Sequence, residues 1–424
     1  MHECKLSLAL AIAVNLESQE RMATLNVPNP KSGPLPGGAP QPDEPLESSH
    51  IKGGILPAQH IRKLIEKGII TSDLPIEDGQ VQPASLDLRL GPVAYRVQAS
   101  FLPGKSSTVM DRIKTLQMAT IDLSRPAVLE RGCIYIIPVL ESIHLPKSIS
   151  AGANPKSTTG RLDVFTRLIT DHGIEFEHVR PGYSGPLYVE VVSRTFTILA
   201  AVGTRLNQLR FIRGNPSLSD RRTAGLDKDE VLVYSGDDSP TPALIDEGVR
   251  ISMSLIGDAN SDTVAYKARK NSPAVDLSML DYYPIDDFWE TVREPKNKSI
   301  ILDPGDFYIL ASKERVRVPA DFAAEMVAFD PSMGEFRIHY AGFFDPGFGY
   351  GAGDILGTRA VLEVRAHEVP FLIEDGQIVC RLLYTHMLAR PDKIYGIGIG
   401  SNYQRQALAL SKQFKRPATA GIAP

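Results

Sequence analysis

The sequence predicts a mainly β protein, with a few short helices, in which one β-rich domain occurs twice. Three observations predict it. Short alternating apolar segments bounded by Pro/Gly turns dominate from about Ser85 onward. Four of these blocks recur later in the same order. Clear helical periodicity is confined to one early stretch.

The length of 424 residues suggests two or three domains. The composition, 43% hydrophobic and 23% charged, is that of an ordinary globular protein. A net charge of −4 gives no global basic field of the kind a nucleic-acid polymer attracts. A polyanionic ligand would need a local basic pocket. The three cysteines, Cys4, Cys133 and Cys380, are far apart and form no CxxC, so a reducing cytoplasm is expected.

The first 52 residues are expected to be a disordered extension. The apolar run Leu6–Leu16 is too short to span a bilayer, and "MHECK" before it is a poor signal-peptide start. Met22 is an alternative start, which would leave residues 1–21 untranslated. The stretch after it, rich in Pro, Gly and polar residues, buries too little apolar surface to offset its ordering entropy.

Order is expected from Gly53. In "LPAQHIRKLIEKG", Pro57 opens a helix, Ile61, Leu64 and Ile65 give it an apolar face, and Gly68 stops it. "SLDLRLG" then has period two, with Leu86, Leu88 and Leu90 on one face. The strands come twice. The block around Tyr95 recurs around Tyr266. Residues 132–146 recur, ungapped, as 305–319. The stretch 180–191 recurs as 345–364 with an insertion, and 202–211 recurs as 374–384. Collinear blocks of this length imply a tandem of whole domains rather than a solenoid. The expected organisation is a first domain over 53–214, a polar, turn-rich linker over 215–235, and a second domain over 236–424.

The segments "QPASLDLRLG", "LPKSISAGANPKSTTGR", "PGYSGPLYVE" and "YGIGIGSNYQRQ" resemble the dCTP deaminases of the dUTPase-like superfamily, in their two-domain form. The resemblance implies two small distorted β-barrels of the β-clip type, assembly into homo-oligomers with sites between neighbouring domains, and hydrolytic conversion of dCTP to dUTP and ammonia. It implies no cofactor for deamination, with Mg²⁺ accompanying the triphosphate. No nucleic-acid polymer or membrane partner is expected.

Deamination needs an activated water and a proton for the departing ammonia. Zinc deaminases supply these with an HxE…PCxxC pattern, which this sequence lacks. A desolvated carboxylate is the other route. Two glutamates stand in matching strands, Glu190 in "LYVEVV" and Glu363 in "AVLEVR". On pattern alone, each also fits a polar position on the solvent face of a half-buried strand. The resemblance favours catalysis, since the family's general base lies in this strand.

The resemblance also assigns a Ser and an Arg four residues later to hold the water and orient the base. Lys156, Ser157, Thr158 and Arg161 match that block, with Lys156 and Thr158 as phosphate ligands. In the second copy Ser332 is followed four residues on by Phe336, and Arg337 has Met333 at the Ser position. The sugar-binding hairpin shows the opposite pattern. Ala341, whose carbonyl the family aims at the base or water, Asp345 for the sugar hydroxyl and Phe348 for the deoxyribose are present in the second copy. Phe176 and Arg180 replace the Ala and Asp in the first. Complementary loss predicts a composite site, with Lys156, Ser157, Thr158 and Arg161 facing Ala341, Asp345, Phe348 and Glu363. Glu190 is the fallback base. Tyr403 and Gln406 match the family's triphosphate-covering tail, and Lys412 is a further phosphate ligand. No metal ligands are expected. The alternatives are a dUTPase, a bifunctional deaminase–dUTPase, or a non-catalytic nucleotide-binding regulator.

Overall fold

The structure, a computed structural model, describes residues 53–258, 261–327, 336–338 (backbone only), 342–366, 369–396, 404 and 408–416. The extension 1–52, Ala341, Tyr403 and Gln406 lie outside the described residues. So do Ser332 and Met333.

The described chain is mainly β. The early helix forms over Ala58–Glu66 with Pro57 as its N-cap and Ile61 and Leu64 buried. Gly68, at φ 67°, ends it. A second helix, Val109–Leu116, went unread in the sequence, although its capping box is there: the Thr108 side chain accepts from the Asp111 N–H. The linker expected to be loop holds an 11-residue helix, Asp220–Glu230. Only Thr223 and Leu226 of that helix are buried, so it carries almost no apolar periodicity to read. No described helix is long and apolar enough to cross a membrane.

Strand pairing repeats between the two halves, down to the register. Ile134–His144 pairs antiparallel with Ser184–Ser193 and with Val93–Val97. Phe307–Val316 pairs the same way with Thr358–Ala366 and Thr263–Ala268. Ile136 lies between Tyr95 and Glu190, as Ile309 lies between Tyr266 and Glu363. Leu209 faces Ala153, as Leu382 faces Met326. Two glycine pairs recur with the strands. Gly132 and Gly305 sit at φ 78° and 73°, and Gly203 and Gly376 at 83° and 81°. These turns need a residue without a Cβ in the left-handed region.

The halves pack as one compact unit. One core cluster belongs to the second half and includes Tyr308, Leu310, Leu362 and Val364. The largest is centred on the first half but takes in Phe307, Ile309 and Val361 from the second. Strands Phe307–Val316 and Thr358–Ala366 therefore bury both faces, one in each core. A short parallel pairing of Ile198–Ala200 with Val275–Asp276 joins the halves further.

Residues 408–416 form no helix. They return through the molecule, and Phe414 packs edge-on against Phe288 and Trp289, with centroids at 5.3 and 5.7 Å. Phe414 is buried in the first-half core. Replacing Phe414 with Ala should cost about 3–5 kcal/mol in urea unfolding; a loss under ~1 kcal/mol would mean the ring is not part of that core.

Candidate active site

The first half contributes a turn. The Ile149–Pro155 strand ends at Lys156, whose N–H donates to the Leu206 carbonyl at 2.9 Å. One helical turn, Ser157–Gly160, follows. The Thr159 hydroxyl donates to the same Leu206 carbonyl at 2.9 Å, tying the turn to the Arg205–Arg213 strand. Ser157 is exposed into a cavity of 640 Å³, and Lys156, Thr158 and Arg161 line it.

The second half supplies the facing wall with Glu363, Asp345 and Phe348. Period-two alternation turns Leu362 and Val364 into their own core and Glu363 toward the first half. The solvent-face reading of Glu363 is thereby corrected: the residue is 6% exposed. Its carboxylate lies 4.0 Å from the Arg161 guanidinium, itself buried. Burial pushes the Glu363 carboxyl up to about 7, against the opposing pull of Arg161. Such a group exchanges protons near neutral pH.

Asp345 is buried behind the Pro346–Gly347 turn. Burial raises its pKa; the Arg210 guanidinium, 3.1 Å away and carried by the first half, opposes the shift. Arg210 also stacks on the Phe343 ring at 3.9 Å and donates to the Ala324 carbonyl at 3.1 Å. Phe348 meets Phe344 edge to face at 4.9 Å and Tyr395 at 5.5 Å. Gln404 clamps the turn beside them: its amide oxygen accepts from Gly349 N–H at 3.1 Å and its amide nitrogen donates to the Gly347 carbonyl at 3.0 Å.

Cations gather at one part of the cavity, where Lys156, Lys412 and Arg205 all line it. The Lys156 ammonium pairs with Asp87, a buried carboxylate on the Leu86–Arg89 strand. Burial lowers the Lys412 pKa, and Lys156 adds to the shift. Lys412 is held by its neighbours: Ser411 donates to the Thr158 carbonyl at 2.9 Å, and Gln413 donates to the Leu277 carbonyl at 3.1 Å.

Glu190 is placed differently. It too is buried, so the solvent-face reading fails here as well. Its carboxylate accepts from Arg167 at 2.6 and 3.1 Å, and that guanidinium stacks on Phe176 at 3.6 Å. Glu190 is not among the residues lining the cavity. Sequence reasoning missed Asp87, Arg210 and Gln404. The first two sit in recognised blocks, but their partners lie on distant strands.

Comparison with known proteins gives one family for both halves. Residues 52–215 match the 2'-deoxycytidine 5'-triphosphate deaminase (DCD) N-terminal domain, and residues 219–414 match the C-terminal domain of the same name. The crystal structure of 2'-deoxycytidine 5'-triphosphate deaminase from Agrobacterium tumefaciens is 47% identical, with a TM-score of 0.76. It covers 80% of this chain and 100% of its own. A dCTP deaminase, dUMP-forming, of Halobacterium salinarum is 34% identical over 143 residues, 32% of this chain and 67% of that protein. One of the same description from Beutenbergia cavernae is 26% identical over 188 residues, 44% of this chain and 92% of that protein. With both halves matched and a solved relative covered end to end, the chain belongs to the dCTP deaminase family.

Proposed function

We propose that the protein hydrolyses the exocyclic amine of dCTP, giving dUTP and ammonia, at a site to which both halves contribute. The observation that carries this reading is Glu363: a carboxylate out of water, beside Arg161, in a cavity whose other lining groups suit a deoxynucleoside triphosphate. Lys156, Thr158 and Lys412 would hold phosphate oxygens. Asp345 would accept from the sugar hydroxyl, and Phe348 would pack on the deoxyribose. Ala341, Tyr403 and Gln406 enter through the family resemblance alone.

In this reading Glu363 takes a proton from water as the oxygen bonds to the ring carbon bearing the amine. That proton then passes to the departing nitrogen, which leaves as ammonia, while the remaining proton of the added hydroxyl moves to the adjacent ring nitrogen, so that the ring keeps a carbonyl. Arg161 holds the carboxylate in place, and Ser157 the water. Mg²⁺ would arrive on the triphosphate, bound by phosphate oxygens and water.

A second reading has support from the relatives described as dUMP-forming. Product analysis separates the two: dUTP with ammonia, or dUMP with pyrophosphate and ammonia.

Glu363→Gln should cut ammonia release by roughly 10²–10⁴-fold, while Glu190→Gln leaves most of it. The opposite result would place the base in the first half. Activity should rise as pH climbs through about 7, because the carboxylate form is the base. Stability should run the other way. A raised carboxyl favours the native state most below its unfolded value, and that contribution fades as pH passes up through about 7. Glu363→Gln should therefore melt higher than the parent at pH 8 and show no such gain near pH 4. Glu177, raised by burial to about 8, titrates nearby in both proteins and cancels in the comparison. Lys412→Met should weaken dCTP binding about tenfold by calorimetry, the loss of one charge-assisted contact; unchanged affinity would remove Lys412 from the phosphate set.

A further inference from the structure

Asp163 and Arg365 belong to neither the sequence-predicted site nor the cavity wall, yet they flank its central ion pair. Asp163 lies two residues after Arg161, is fully buried, and sits at φ 55°. That left-handed conformation costs a non-glycine residue free energy. Its side chain accounts for the presence of an aspartate there. One carboxylate oxygen accepts from the Thr195 hydroxyl at 2.6 Å and from the Arg365 guanidinium. Arg365 in turn donates to Thr195 at 2.9 Å and to the Gly305 carbonyl. It lies two residues after Glu363, on the same face of the strand.

The turn thus presents Arg161 and Asp163, and the strand presents Glu363 and Arg365. Two ion pairs of opposite polarity lie side by side between the halves. A two-residue slip of the turn along the strand would set Arg161 against Arg365 in one direction, or Asp163 against Glu363 in the other. Like charges in a buried contact are strongly disfavoured.

We infer that Asp163 and Arg365 form a clasp that fixes the register of the Ser157–Arg161 turn against the Glu363 strand, a positioning role that rests on the deaminase reading above. Neither residue touches the substrate. The charged groups acting on Glu363 are Arg161 and Asp163; Arg365, on its own strand, pairs with Asp163, and the paired strand presents apolar Ile309 opposite it. Asp163 is one of the groups holding the Glu363 carboxyl up.

The test is steady-state ammonia release by purified Asp163→Asn, Asp163→Gly, Arg365→Gln and Glu363→Gln proteins across pH 5–9. Glycine relieves the left-handed strain, so it keeps the fold accessible if the Asn variant does not fold. With the clasp opened, kcat should fall roughly 10–100-fold, since a shift near 1 Å is enough for that, while KM for dCTP changes little. In the Asp163 variants the acid limb of the kcat profile should also move to lower pH, because Glu363 loses an anionic neighbour and keeps a cationic one; Arg365→Gln, which keeps Asp163 anionic, should not move it that way. A scaffold role alone would lower the melting temperature and leave that limb in place. Folded Asp163 variants with parental kcat and an unmoved limb, beside an inactive Glu363→Gln, would overturn the clasp and spare the deaminase reading. Near-parental turnover by Glu363→Gln would overturn both.

Discussion

The period-two geometry of a single strand governs this site. Thr358–Ala366 alternates its side chains between two cores, one from each half of the chain. Leu362 and Val364 anchor the strand in the second core. Glu363 is then obliged to point at the first half, where there is no bulk water to solvate it. Its raised pKa follows from that enclosure, only partly offset by Arg161. A one-residue slip would exchange glutamate for leucine at this surface.

The contact between halves is unusually rich in charge. Arg161 meets Glu363, Arg365 meets Asp163, and Arg210 meets Asp345. Each pair takes one member from each half. Buried pairs give up hydration on both sides, so they are poor sources of stability, and at Glu363 that cost exceeds the attraction of Arg161. Their value here is selectivity: they specify which turn meets which strand. Glu190 shows the contrasting treatment. The equivalent strand position is neutralised by Arg167 and covered by Phe176, so the same residue type in the same register ends up as a structural ion pair.

Much of this was legible in the sequence, because its signals are local. The repeat was visible in block order, and the register of Glu190 and Glu363 followed from it. The division of Lys156, Ser157, Thr158 and Arg161 from Asp345, Phe348 and Glu363 was visible in which motif each copy retained. The fates of the two glutamates were not, since alternation alone cannot tell a face covered by another half from a face open to solvent. Asp163, Arg365 and Arg210 escaped notice for a related reason: ion pairs between distant strands leave no spacing pattern. The linker helix Asp220–Glu230 was missed because its polar sequence buries only two residues. Val109–Leu116 was missed although its Thr108–Asp111 box stood in plain view.

The route of the chain through Phe414 bears on synthesis. The cluster that closes the first half includes Phe196 from that half, then Phe288 and Trp289, and last Phe414. N-terminal domains ordinarily complete folding while the remainder is still being made. Here Phe414, which packs into the first-half core, is made only after the whole second half of the chain. The last-made residues thus belong to the core of the first-made half.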